Sequence, residues 1–156
     1  KVAAALHARG VVLGDKVLIH ADNCPEAVLS WYACARLGAV GVTTNTRSVG
    51  AEINYFATHT GCVGAITQPG LAQVVADAVP DLGWMVVTAD DSGTAATAEP
   101  VDRPHDGFDM LLDHGLAAEV AGHDERDVGG VAEALRDAQG DGGGDGQHGR
   151  RTPSVR

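Results

Sequence analysis

Asn45 and Arg47 stand on a polar loop, Thr44-Asn45-Thr46-Arg47, immediately after a Val-rich run. An amide that donates and accepts, beside a permanent cation with forked donors, can hold a carboxylate, a phosphate or the polar edge of a small molecule. The same two residues also serve as turn chemistry and solvated charge, and both roles stay open. His20 and His59 each end an apolar segment; either could be a base or a ligand, or pack as a structural side chain. Cys24 precedes Pro25-Glu26 at the start of a helical pattern. That place lowers a thiol pKa and favours reactivity, against the plainer use of a small capping or core residue.

Metal chemistry finds no support. Cys24, Cys34 and Cys62 are an odd, scattered set, and His105, His114, His123 and His148 have no ligand spacing that fits a helix face with a carboxylate. Asp141 and Asp145 fall in a Gly/Asp tract, but a calcium loop opening at Asp141 would close on Thr152 rather than Glu. No G-x-G-x-x-G follows a strand, so a dinucleotide fingerprint is missing.

The elements that position the candidates are legible in the alternation of apolar runs and helical patterns. Lys16–His20, Ala39–Thr43, Cys62–Thr67 and Trp84–Thr88 are short and branched, as strands buried on both faces are. Helices are expected at Val2–Arg9, ended by Gly10; from Asp22-Asn23-Cys24-Pro25-Glu26 to Gly38; at Gly50–His59, capped by Ser48 and ended by Gly61; and at Leu71–Ala78 after a Gln68-Pro69-Gly70 turn. The second of these carries Ala27, Val28, Trp31, Tyr32, Cys34, Ala35 and Leu37 around most of its circumference and is expected to be heavily buried. Ile53, Phe56 and Ala57 should share one face of the third. The fold class is α/β, with a partly parallel sheet and flanking helices.

After Asp90 the texture changes. Asp91–Glu99 reads as a linker, Phe108–Leu112 as a short helix, Val128–Ala138 as weakly helical and Gly140–Gly149 as disordered. Residues 1–90 therefore form one partial domain and 91–156 a linker and low-complexity tail. No Ser or Thr lies between Thr97 and Thr152, a composition that a GC-rich gene read out of frame would give. The formal charge of −10 argues against a general nucleic-acid binder. No stretch has the apolar length of a membrane span, and the start has no signal-peptide order, so a cytoplasmic place is expected. The chain opens at Lys1, already inside a helical pattern, which implies a preceding segment.

Six pieces in Val2–Thr88 carry a resemblance: VAAALHARGV, GDKVLIHADN, CPEAVLSWYACARLGAV, TTNTR, AEINYFATHTG and CVGAITQ. In this order and spacing the chain resembles the amino-terminal lobe of the adenylate-forming acyl-CoA synthetases, the AMP-dependent synthetase and ligase superfamily. Thr44 stands where members usually have proline. The resemblance implies a parent ligase of fatty-acid and related metabolism that uses ATP and Mg²⁺ to adenylate a small-molecule carboxylic acid and then transfers the acyl group to CoA. It also implies a Ser/Thr/Gly-rich phosphate loop ending in Pro-Lys, an aromatic-Gly-x-Thr-Glu motif, a ribose-binding aspartate and a distant lysine. None of these is found here, though codon degeneracy permits Arg126–Val131, shifted by one nucleotide, to spell a Thr-Ser-Gly sequence. No catalytic, cofactor or metal residue is therefore assigned. The chain is expected to be a synthetase fragment, inactive alone, binding no cofactor by itself and self-associating through uncovered apolar faces. The alternative is a stand-alone, non-catalytic α/β binding module.

Overall fold

The computed structural model describes residues 1–89 and 101–113. Helices α1 (Val2–Ala8), α2 (Pro25–Arg36), α3 (Gly50–Thr60) and α4 (Pro69–Ala78) alternate with strands β1 (Lys16–His20), β2 (Val40–Thr43), β3 (Cys62–Thr67) and β4 (Met85–Val87). A two-residue strand β5 (Asp106–Gly107) follows, and residues 108–113 are helical. All neighbouring strands are parallel, in the order β2-β1-β3-β4-β5.

Successive strand residues feed opposite cores, as the two-residue period of a strand demands. Val17, Ile66 and Val86 join Ala5 and Leu6 of α1, Ala33 and Cys34 of α2, and Phe108 and Leu111. Leu18, Ala65, Met85 and Val87 join Ile53 and Ala57 of α3 and Ala72 and Val75 of α4. A sheet covered on both faces is why these strands read as near-continuous apolar runs. Both tryptophans lie against a strand glycine: a Cβ on Gly41 would meet Trp31, and one on Gly64 would meet the Trp84 ring.

Several local expectations are corrected. Gln68-Pro69-Gly70 is the start of α4, with Pro69 in the first turn, where its missing N–H costs nothing. The N-cap of α3 is Val49 rather than Ser48; the Glu52 carboxylate accepts the Val49 N–H at 3.1 Å. Helix α2 is not heavily buried. Its inward stripe is Ser30, Ala33 and Cys34, while Val28, Trp31 and Tyr32 are at least half exposed. A helix apolar all round is buried only if a second layer covers its outer side, and none is present among the described residues. Phe56 is likewise exposed, whereas Ile53 and Ala57 are buried.

The helix ends follow the expected chemistry. Gly10 has φ 87°, and the N–H groups of Gly10 and Val11 reach back to the carbonyls of His7 and Leu6. Gly38, with φ 67°, repeats this arrangement with Ala39 at the end of α2. Each glycine takes the left-handed conformation that lets two otherwise orphaned carbonyls be satisfied.

Residues 101–113 return to the sheet beyond the boundary expected at residue 90. The Arg103 guanidinium donates to the carbonyls of Val79, Pro80 and Leu82, where α4 ends. Arg9 pairs with Asp106 at 2.6 Å. Phe108 and Leu111 enter the core shared with α1 and α2. The linker Asp91–Glu99, the Val128–Ala138 pattern and the Gly140–Gly149 tract lie outside the described residues.

Candidate functional site

In the order β2-β1-β3-β4-β5 the chain steps one way from β1 to β2 and the other way from β1 to β3. Helices α2 and α3 consequently contribute to the two different cores. The loops leaving the carboxyl ends of β1 and β3 diverge, and such a switch point is where ligands enter open α/β sheets. Strand order, which alone locates it, is not visible in the sequence.

The edge at this point is a polar layer set on the apolar one beneath. His20, Thr67 and Gln68 are buried there. Thr67 Oγ1 donates to the His20 carbonyl at 2.8 Å, and the Asp22 N–H donates across the switch point to Gln68 Oε1 at 2.6 Å. His20 Nδ1 lies in a hydrogen bond with Thr44 Oγ1 at 2.8 Å. Thr46 Oγ1 donates to the Asp22 carboxylate at 2.9 Å. The loop after β2 is thus tied to the end of β1 by two threonine hydroxyls.

The loop picked out in the sequence does reach the switch point, through residues other than Asn45 and Arg47. Asn45 is exposed, and its Oδ1 accepts the Arg47 N–H at 2.9 Å, a local turn. Arg47 is exposed. Thr44, Thr46, Asp22, Thr67 and Gln68 make the connections instead. The alternation of hydroxyls at 44 and 46 was the available signal for two of them. Thr44 occupies the position where the resemblance leads one to expect proline, and its hydroxyl is what partners His20 Nδ1.

His20 Nε2 is buried without a partner, the one such side-chain nitrogen or oxygen among the described residues. Leaving a buried polar atom unsatisfied costs about 1–3 kcal/mol. Burial pushes the His20 pKa below its usual 6.5, and the Asp22 carboxylate only partly opposes this. The folded state therefore binds the proton more weakly than the unfolded chain. Stability from this group is complete above pH 6.5 and declines as the pH falls below it. Thermal melts should show the midpoint dropping as the pH is lowered from 7 towards 5. His20→Gln should flatten that slope, and an equal slope in the variant would remove His20 as its source.

The remaining candidates resolve as structural. His59 is exposed and stacks on Tyr55, with ring centroids 5.1 Å apart. Cys24 is the N-cap of α2 and is 5% exposed, and burial raises its pKa, in line with the plainer reading of a small capping residue rather than a reactive thiol. Burial pushes Cys34 up to about 11. No group of three or more His, Cys, Asp or Glu side chains suited to a metal ion occurs among the described residues. Nor is any helix there long and apolar enough to cross a membrane.

The AMP-binding enzyme family model matches residues 1–128. Over 52 residues the chain is 40% identical to the crotonobetaine/carnitine–CoA ligase of Salmonella paratyphi A, covering 33% of this chain and 10% of that protein. It superposes on a protein of Rhodopseudomonas palustris described provisionally as a long-chain-fatty-acid CoA ligase, with TM-score 0.59 and 26% identity. That match covers 70% of this chain and 26% of the other. An anthranilate CoA ligase solved with anthranoyl-AMP matches with TM-score 0.50 and 27% identity, over 55% of this chain and 17% of that one. The chain spans about a tenth of the length of the curated relatives it matches.

Proposed function

We propose, given that this chain belongs to the AMP-binding enzyme family, that it is the sheet-and-helix scaffold of an acyl-CoA ligase's amino-terminal lobe and that the adenylating groups lie outside its described residues. The parent reaction would join a carboxylic acid to AMP from Mg²⁺-ATP, releasing pyrophosphate, and then form a thioester with CoA. The similarity to the long-chain-fatty-acid and anthranilate ligases named above supports an organic acid as the substrate class. A cytoplasmic setting belongs to the same reading, in keeping with three free thiols.

The observation that carries the proposal is the charge at the switch point. Phosphate transfer needs cations and free N–H groups aimed at the oxygens that gain charge. Among the described residues, the loops at the carboxyl ends of β1, β2 and β3 offer a single cation, Arg47, and carry the Asp22 carboxylate, which accepts the Thr46 hydroxyl. Arg9 and Arg103 are engaged elsewhere. This edge does not fit a nucleoside triphosphate or its Mg²⁺.

Titration calorimetry of the purified chain with Mg²⁺-ATP should give no binding in the micromolar range. ATP–pyrophosphate exchange with a panel of aliphatic and aromatic acids should stay at background. Micromolar ATP affinity would overturn the proposal. The second reading, a non-catalytic binding module, is favoured by one observation, the unpaired His20 Nε2 at the switch point. Calorimetric binding of a neutral hydrogen-bonding ligand, abolished by His20→Phe, would select it.

A further inference from the structure

We propose that the outer edge of β2 is the docking surface for a second copy of this chain, the two β2 strands pairing antiparallel about a two-fold axis. This is independent of the ligase reading. β2 ends the sheet, with no strand beyond it among the described residues. The Val40 N–H donates to Asp15 and the Thr44 N–H to Ile19, so residues 40, 42 and 44 direct their main-chain groups towards β1. The N–H and C=O of Gly41 and Thr43 consequently face outward. Edge strands are ordinarily protected by lysine, proline or brevity. Val40-Gly41-Val42-Thr43 contains neither residue, while the opposite edge, β5, is only two residues long.

The flanks of this edge are apolar. Val40 is 49% exposed, and on α2, which lays Trp31 over Gly41, Val28, Trp31 and Tyr32 are 51%, 51% and 62% exposed. On α3, which packs on the other face of the sheet, Tyr55 and Phe56 are also exposed. With about 150–250 Å² for each aromatic side chain, the exposed parts come to roughly 500 Å². These side chains flank the edge from both faces of the sheet, and with the β2 main chain added they approach the roughly 800 Å² per partner of a standard interface.

A second copy is the occupant that the main chain specifies. With the axis through Val42, Gly41 of one copy faces Thr43 of the other and the reverse, so the four outward N–H groups meet the four outward carbonyls in a closed, isologous contact. β2 itself carries no charged side chain to oppose a like strand.

Sedimentation equilibrium of the full chain should show a monomer–dimer equilibrium within the micromolar range. Val40→Lys and Tyr32→Glu should each weaken the dimer about tenfold or more, by placing charge where two copies meet, without lowering the melting temperature measured at dilutions where the protein is monomeric. Met110→Glu, on a comparably exposed side chain in the helical residues 108–113, should leave it intact. Amide exchange at Gly41 and Thr43 should slow as the dimer forms. A monomer at every concentration, an open-ended aggregate, a dimer indifferent to both β2-edge variants, or unchanged exchange at Gly41 and Thr43 would each overturn the proposal.

Discussion

Gly64→Ala should destabilise the protein by about 3 kcal/mol, and Gly64→Val should prevent folding. A Cβ at this position falls inside contact distance of three atoms of the Trp84 indole, which packs with Val63 against the core of α1 and α2. The collision cannot be relieved cheaply. Gly64 is paired with Val17 of β1, Val63 before it accepts the Gly83 N–H at 3.2 Å, and the Ala65 N–H after it donates to the Trp84 carbonyl at 3.1 Å. Only the indole can move, and moving it opens the core beneath. Against a total stability of roughly 5–15 kcal/mol, a loss of this size should move the urea midpoint plainly. Trp84→Leu introduced with Gly64→Ala should recover part of the loss, because the smaller side chain vacates the contested space. A neutral Gly64→Ala would mean that the ring does not rest on the strand.

Leu111→Ala should cost about 2–5 kcal/mol, which for a domain of this size lowers the thermal midpoint by roughly 10 °C. Leu111 is fully buried among residues of α1, α2, β3 and β4. Truncating it removes three carbons from a site whose walls are helices and strands with little freedom to collapse. The expectation bears on where the folded unit stops. If residues 1–90 folded alone and the remainder were an appendage, Leu111→Ala would be silent in calorimetry and in denaturant titration. A silent variant would restore the boundary at residue 90.

The strands and helices were legible because each apolar run or helical pattern is bounded by glycine, proline or a turn pair. β1 and β3 have the bounds expected of them, and Gly10 and Gly38 close their helices as glycine does. Three kinds of fact were not legible. Strand order depends on which apolar faces find each other over long distances, and without it the switch point between His20–Asp22 and Thr67–Gln68 has no address. Burial of α2 depends on a neighbour that periodicity cannot supply, so Trp31 and Tyr32 read as core and are surface. Asp106-Gly107 is too short and too polar to announce a strand; it pairs because Arg9 holds Asp106 and Phe108 anchors the next turn. The two strand glycines were the clearest missed signal. A glycine inside a strand marks close approach by something large, and Gly41 and Gly64 each face a tryptophan.

The grip of Arg103 on the carbonyls of Val79, Pro80 and Leu82 has a consequence for how the molecule comes apart. One side chain both neutralises the negative end of α4 and tethers the segment leading to β5. The last turn of α4 cannot fray while the tether holds, and β5 cannot peel away without exposing that turn. Local opening of two elements distant in sequence is thereby fused into a single event, so protease nicking near Val79 and near Arg103 should rise together rather than in succession.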